Sequence, residues 1–238
     1  MFCVIRLKKA GPAAALLCFA LAALILIRAF APLRRMETAA LDSAPPTLVI
    51  DAGHGGFDGG AIAVNGVKES DINLAIALKL QAAAAFCGVG TVMTRVDDSR
   101  RTDILSYSER EDLVRRAEIA NAVPNAVFVS IHQNYYPTTQ PYGAQVLYAD
   151  DERSARLGRI TQSNIVEGLQ PENRRPAIPA PANLYLTANV RCPAILVECG
   201  FLSNYNEMEK LMEDGYQTAM AAALLASCLQ FLPGLSNA

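Results

Sequence analysis

The 238-residue chain has no tryptophan and only two histidines, His54 and His132. Its net charge is −2, so it lacks the basic surplus of most nucleic-acid-binding proteins, and no nucleic-acid partner is expected. Charged residues are few, at 18%, and hydrophobic residues reach 52%, which excludes a disordered chain. None of the six cysteines (Cys3, Cys18, Cys87, Cys192, Cys199, Cys228) forms a Cys-x-x-Cys pair, so neither a cysteine zinc site nor a dithiol redox motif is supported. No glycine run ends in Gly-Lys-Ser/Thr, which removes a P-loop. Ser130 is not in a Gly-x-Ser-x-Gly elbow, and neither histidine precedes a glutamate. A serine hydrolase and a His-Glu-x-x-His protease are therefore both disfavoured.

What charge there is lies unevenly. Residues 1–44 hold six basic and two acidic residues, and residues 45–238 hold 15 basic and 21 acidic. Within the basic leader, the eighteen residues Ala10–Ile27 are uncharged. As a helix they span roughly 27 Å, near the ~30 Å of a bilayer core. Arg6, Lys8 and Lys9 precede this run, as in a signal peptide or the cytoplasmic flank of an anchor. The cleavage candidate Ala29-Phe30-Ala31 is followed by Pro32, which disfavours processing. The expected organisation is a signal-anchor over residues 1–33, a linker over 34–46 and one globular domain over 47–238. That predicts a membrane-anchored or secreted protein; Arg28, Arg34 and Arg35 follow the span, so the positive-inside bias is weak and the side on which the domain lies has to come from what the domain does.

The domain alternates strand-like and helix-like segments. Strands are expected at 47–51, 91–94, 126–131, 144–148 and 194–197, from short apolar runs bounded by turn residues. Helices are expected at 71–86, 109–121, 151–169, 207–212 and 214–231, from apolar residues at helical spacing. This order predicts an α/β fold with a mostly parallel central sheet flanked by helices on both faces.

Three of the strands lead into residues of one functional type: Asp51 through Gly53 to His54, Ser130-Ile131-His132, and Val197-Glu198. Ligands in such sheets bind outside the carboxyl ends of the strands. If these strands are parallel neighbours, both histidines of the chain meet Glu198 at one edge. Two imidazoles invite a metal, and zinc in hydrolases is typically held by three protein ligands such as His₂Glu. Glu69, after the glycine-rich loop Gly53–Gly66, is the chosen third ligand over Asp58 and Asp71, although a carboxylate there also suits a helix's first turn. The loop glycines let the backbone pass close to a metal and substrate. Asp51 suits either a partner behind an imidazole or a turn cap, and Asn134 either orients a ligand or substrate or serves a turn.

These residues resemble a known family. The run Leu48-Val-Ile-Asp-Ala-Gly-His54-Gly-Gly-Phe-Asp-Gly-Gly-Ala61 resembles the opening motif of the zinc-dependent N-acetylmuramoyl-L-alanine amidases of bacterial cell walls. Gly66-Val-Lys-Glu69, Ser130-Ile-His132-Gln-Asn134 and Val197-Glu198-Cys-Gly-Phe201-Leu-Ser-Asn204 are similar to its later motifs, in the family's order. The short architecture, with Tyr107-Ser-Glu-Arg110, Arg116 and Ala120-Asn121, looks like the spore-cortex subgroup. The resemblance implies one Zn²⁺ held by His54, Glu69 and His132, with Glu198 as catalytic proton carrier. It also implies hydrolysis of the amide between N-acetylmuramic acid and L-alanine in peptidoglycan, on the way to muramic δ-lactam, with an accessory protein left open. A zinc peptidase acting in the stem peptide and a non-catalytic, membrane-tethered wall-binding protein are the alternatives.

Overall fold

The computed structural model describes residues 45–98 and 108–232. The expected anchor, nearly all of the linker and Tyr107 lie outside these residues. Among the described residues no helix is long and apolar enough to cross a membrane.

The elements follow as β1 (Thr47–Ala52), α1 (Glu69–Phe86), β2 (Gly90–Met93), α2 (Glu109–Asn121), β3 (Ala126–Asn134), β4 (Gln145–Tyr148), α3 (Glu152–Gly168), β5 (Ile178–Pro179), α4 (Tyr185–Asn189), β6 (Ala194–Phe201), α5 (Tyr205–Met212) and α6 (Asp214–Phe231). The six strands form one sheet in the order β2-β1-β3-β6-β4-β5. Neighbours from β2 to β6 are parallel, β4 runs antiparallel to β6, and β5 is parallel to β4. The α/β domain and its mostly parallel sheet match the expectation. The β3–β4 connection contains no helix, and parallel pairing normally requires a long crossover.

Both faces of the sheet are covered, so its strands are apolar on both sides. Leu48 and Ile50 face one core with Ile72, Ile76 and Leu80 of α1, Leu157 and Ile165 of α3, and Leu224 and Phe231 of α6. Val49 and Phe128 face a smaller core with Ala117 and Ala120 of α2, Leu186 of α4 and Val190 just after it. Side-chain caps fix several helix starts: Ser108 accepts from the Glu111 amide, Asp151 from Arg153 and Ser154, and Asn204 from Asn206 and Glu207.

Four boundaries differ in ways that matter for function. β3 continues through His132 to Asn134, and β6 through Glu198 to Phe201. In both, pairing with a neighbour carries the strand past the polar residue at which the apolar run stops. α1 starts two residues early, at Glu69. β2 is shifted by one residue. The short β5 and α4 have no clear periodic signal and were not expected.

Candidate metal centre and active site

Because β1, β3 and β6 are parallel neighbours, their carboxyl ends share one edge. His132 and Glu198 are direct register partners on β3 and β6. His54 lies just beyond β1 in a left-handed conformation, φ 59°, which is uncommon outside glycine and is often found at functional sites. Glu69 opens α1 and is 4% exposed.

The Glu69 carboxylate sits between the two imidazoles. Its Oε1 is 3.3 Å from His54 Nε2 and 2.9 Å from His132 Nδ1. Oε1 also accepts from the Gln133 amide at 3.0 Å and from Asn73 Nδ2 at 3.3 Å, and Oε2 accepts from the Ala61 amide at 3.0 Å. None of these backbone donors belongs to α1, so the carboxylate is aimed at the histidines and not at its own helix end. The two rings meet edge to face with centroids 4.8 Å apart. One ligand atom each from His54, Glu69 and His132 lies within 4.8 Å of the others.

This donor set fits a zinc ion. Ligand atoms about 2.0–2.1 Å from a tetrahedral centre lie roughly 3.3 Å from one another, close to the two observed separations. Behind the site, His54 Nδ1 is 2.6 Å from Asp58 Oδ2, which fixes the ring and leaves Nε2 for a metal. Burial would depress the His54 imidazolium, but Asp58 and Glu69 outweigh it and raise its pKa to about 10. Asp58, set aside in the sequence in favour of Glu69, is thus the imidazole's partner, and its spacing of four residues in a glycine loop was the available signal.

Asp51 is in a different place from the one expected for an imidazole partner. Its oxygens accept from Thr94 Oγ1 (2.6 Å), Ser130 Oγ (2.6 Å) and Arg116 Nη1 (2.8 Å). Burial alone would raise its pKa, but Arg116 and the two hydroxyls bring it down to about 2. Asn134 ends β3, and its backbone carbonyl accepts from the Leu202 amide at 2.8 Å. Asn73, Gln133 and Arg95 also frame the site; Gln133 lies inside the motif around His132, whereas Asn73 sits between Ile72 and Leu74 and Arg95 belongs to no motif.

The loop glycines touch the ligands. A Cβ on Gly53 would lie 2.3 Å from the His132 ring. One on Gly60, at φ +65°, would lie 2.6 Å from Glu69 Oε2 and 2.7 Å from His54 Cδ2.

Glu198 is not in the ligand cluster. Its Oε2 is buried with no hydrogen-bond partner among the described residues, where a missing bond costs about 1–3 kcal/mol. Burial, assisted by the Glu69 charge and opposed by His132, lifts its pKa to about 7. A carboxyl group poised there can both take and give a proton near neutrality. Three residues on, Phe201 lies under the Arg175 guanidinium at 4.7 Å. Arg175 also lines a groove of about 510 Å³ with Thr138, Gln140, Tyr142 and Arg174.

A sequence profile of N-acetylmuramoyl-L-alanine amidases matches residues 48–229. The chain belongs to that family. The amidase is 31% identical over 195 residues to the germination-specific N-acetylmuramoyl-L-alanine amidase of Bacillus subtilis (strain 168), covering 77% of this chain and 78% of the relative. Its fold is similar to the CwlD amidase from Clostridioides difficile in complex with the GerS lipoprotein, with TM-score 0.74, 35% identity, and 79% of this chain and 98% of that one covered. It also matches the N-acetylmuramoyl-L-alanine amidase from Clostridium difficile 630, with TM-score 0.70, 30% identity, and 80% and 98% covered. The amidase acts on peptidoglycan, and therefore on the extracytoplasmic side of the membrane.

Proposed function

We propose that the chain hydrolyses the amide between N-acetylmuramic acid and L-alanine with one zinc ion, held by His54, Glu69 and His132. Zinc, when bound, supplies a Lewis acid that polarises the amide carbonyl and acidifies a water. Glu198 takes the proton of the attacking water and then protonates the departing L-alanine nitrogen. His54 is kept in the metal-binding tautomer by Asp58, and Glu69 is held by three donors besides the histidines so that its carboxylate does not rotate away. The observation that supports this reading best is the His₂Glu cluster with an unpartnered glutamate in register beside it.

The spore-cortex role rests on similarity to the germination-specific amidase and to CwlD. In that setting the product would be the precursor of muramic δ-lactam, and a lipoprotein partner of the kind seen with CwlD would dock on the folded domain. Residues 1–33 would anchor the chain, with residues 1–9 inside the cell and the domain outside.

Zinc content and product mass on purified peptidoglycan test the central claim. About one zinc per chain and release of intact stem peptides with free L-alanine amino termini are expected. Cleavage between amino acids would instead mark a stem-peptide peptidase.

A further inference from the structure

The loop that carries His54 is gripped through its carbonyls. The Ala52 carbonyl accepts from Arg95 Nε and Arg116 Nη1, both at 2.8 Å. The Gly53 carbonyl accepts from Arg95 Nη2 and Asn73 Nδ2, both at 3.1 Å. The His54 carbonyl accepts from Arg116 Nη2 at 2.7 Å. Three successive peptide units thus end on two guanidinium groups, which are 5% and 2% exposed.

The grip extends to both sides of the site. Arg95 Nη2 also bonds the Ser70 carbonyl at 2.8 Å, one residue after Glu69. Asp98, three residues after Arg95, accepts from the Gly56 amide at 2.7 Å. Arg116 is itself anchored by Asp51 at 2.8 Å and Asp112 at 2.7 Å. The two arginines come from different segments, Arg95 from just after β2 and Arg116 from the middle of α2.

Pairing with Asp51 and Asp112 accounts for the charge of Arg116, but charge does not explain why both arginines end on the loop's carbonyls. Two guanidinium groups beside a cation site oppose a dication. Their geometry does explain it. A planar fork reaches several carbonyls in fixed directions, and a single ammonium cannot. The carbonyls they hold belong to the residue in the left-handed conformation and to the two before it.

We infer that Arg95 and Arg116 are positioning residues for metal capture, holding the His54 backbone so that its imidazole meets Glu69 and His132 before an ion arrives. This rests on the His54–Glu69–His132 metal reading and adds the residues that set the site's affinity.

Cobalt(II), which reports its coordination by visible absorption, is titrated into the metal-free full chain, with circular dichroism as the measure of fold. Arg116→Lys keeps the charge opposite Asp51 but loses the fork. Its cobalt dissociation constant should rise about 10–100-fold, the usual effect of disturbing groups behind a ligand, with a weakened visible band. Arg95→Met removes a positive charge, so the sign of its effect is decisive. A purely electrostatic role predicts tighter binding, and positioning predicts weaker binding by about tenfold or more. The KM for muropeptide at saturating zinc should not change in either variant.

Wild-type or tighter cobalt binding by either folded variant overturns the inference. If only one variant folds, it decides alone. If neither folds, with or without cobalt, the arginines serve the fold and the inference fails. A wild-type chain that binds neither zinc nor cobalt overturns the metal reading itself, and the inference with it.

Discussion

His132 and Glu198 sit opposite each other on β3 and β6, whereas His54 comes from the loop after β1 and Glu69 from the residue at which that loop enters α1. The strand pair needs little beyond the ladder. β3 is hydrogen-bonded on both sides, and the register that aligns Val129 with Ile195 also aligns His132 with Glu198. The loop pair needs much more. It uses a left-handed histidine, glycines whose missing side chains leave room for the rings, an aspartate behind His54 and two buried arginines under the backbone. A ligand on a sheet inherits its place from the fold, and a ligand on a loop requires dedicated residues. The two halves should therefore fail in different ways when damaged.

The largest effect is expected from His132→Ala. Zinc retention and activity should be lost while circular dichroism stays that of the wild type, because the strand is held by its backbone. Full hydrolysis of purified peptidoglycan by this variant would rule out the zinc assignment.

Glu198→Gln should come next. It should keep about one zinc yet lose a factor of about 10²–10⁴ in rate, the typical contribution of a positioned acid–base group. Glu69→Gln should instead lose zinc affinity and recover part of its activity in excess zinc. Rescue of Glu198→Gln by added zinc would show that Glu198 is a ligand. For the wild type, kcat/KM should fall as pH drops below about 7, where Glu198 protonates, and bound zinc would move that limb lower.

A smaller effect concerns protons. The metal-free His54 is protonated below about 10, and a metal must displace that proton. Apparent zinc affinity should therefore rise about tenfold per pH unit between roughly pH 6 and 8, as expected for one proton released. Asp58→Asn removes the negative charge that helps hold the proton on, so its slope should flatten at the upper end. Calorimetry in two buffers of different ionisation heat measures the proton count, and a count of zero contradicts the His54 state.

The smallest effect tests whether the loop glycines act by conformation or by space. Gly66 has φ +87° with nothing within 4 Å of an added Cβ, whereas the Gly60 Cβ would strike Glu69 and His54. Gly66→Ala should cost about 1–2 kcal/mol of stability from its backbone alone and leave zinc affinity intact. Gly60→Ala should lose both. Equal zinc affinity in the two variants would mean that contact with the ligands is unimportant.

Much of this was legible in the sequence, for identifiable reasons. Apolar runs such as Ala126–Ile131 located the strands, and with only two histidines the choice of metal-site candidates was narrow. What was not legible depends on pairing between distant segments. The extension of β3 and β6 is set by ladder bonds, and β5 and α4 are too short for a period to show. Asp51 suited either an imidazole partner or a turn cap by sequence, but its side chain points to Thr94, Ser130 and Arg116, which come from three distant segments. Arg95 follows an ordinary strand, and nothing local to it reveals that its guanidinium ends on carbonyls more than twenty residues away.

The sheet's last strand, Ile178–Pro179, has a consequence for association between molecules. An exposed strand edge is a template on which a neighbouring chain can add its own strand, and this edge is two residues long and ends in a proline without an amide hydrogen. The opposite edge, Gly90–Met93, offers only four residues. Neither margin provides a long row of open donors and acceptors, so copies crowded together in the cell envelope are poorly equipped to grow into a shared ribbon.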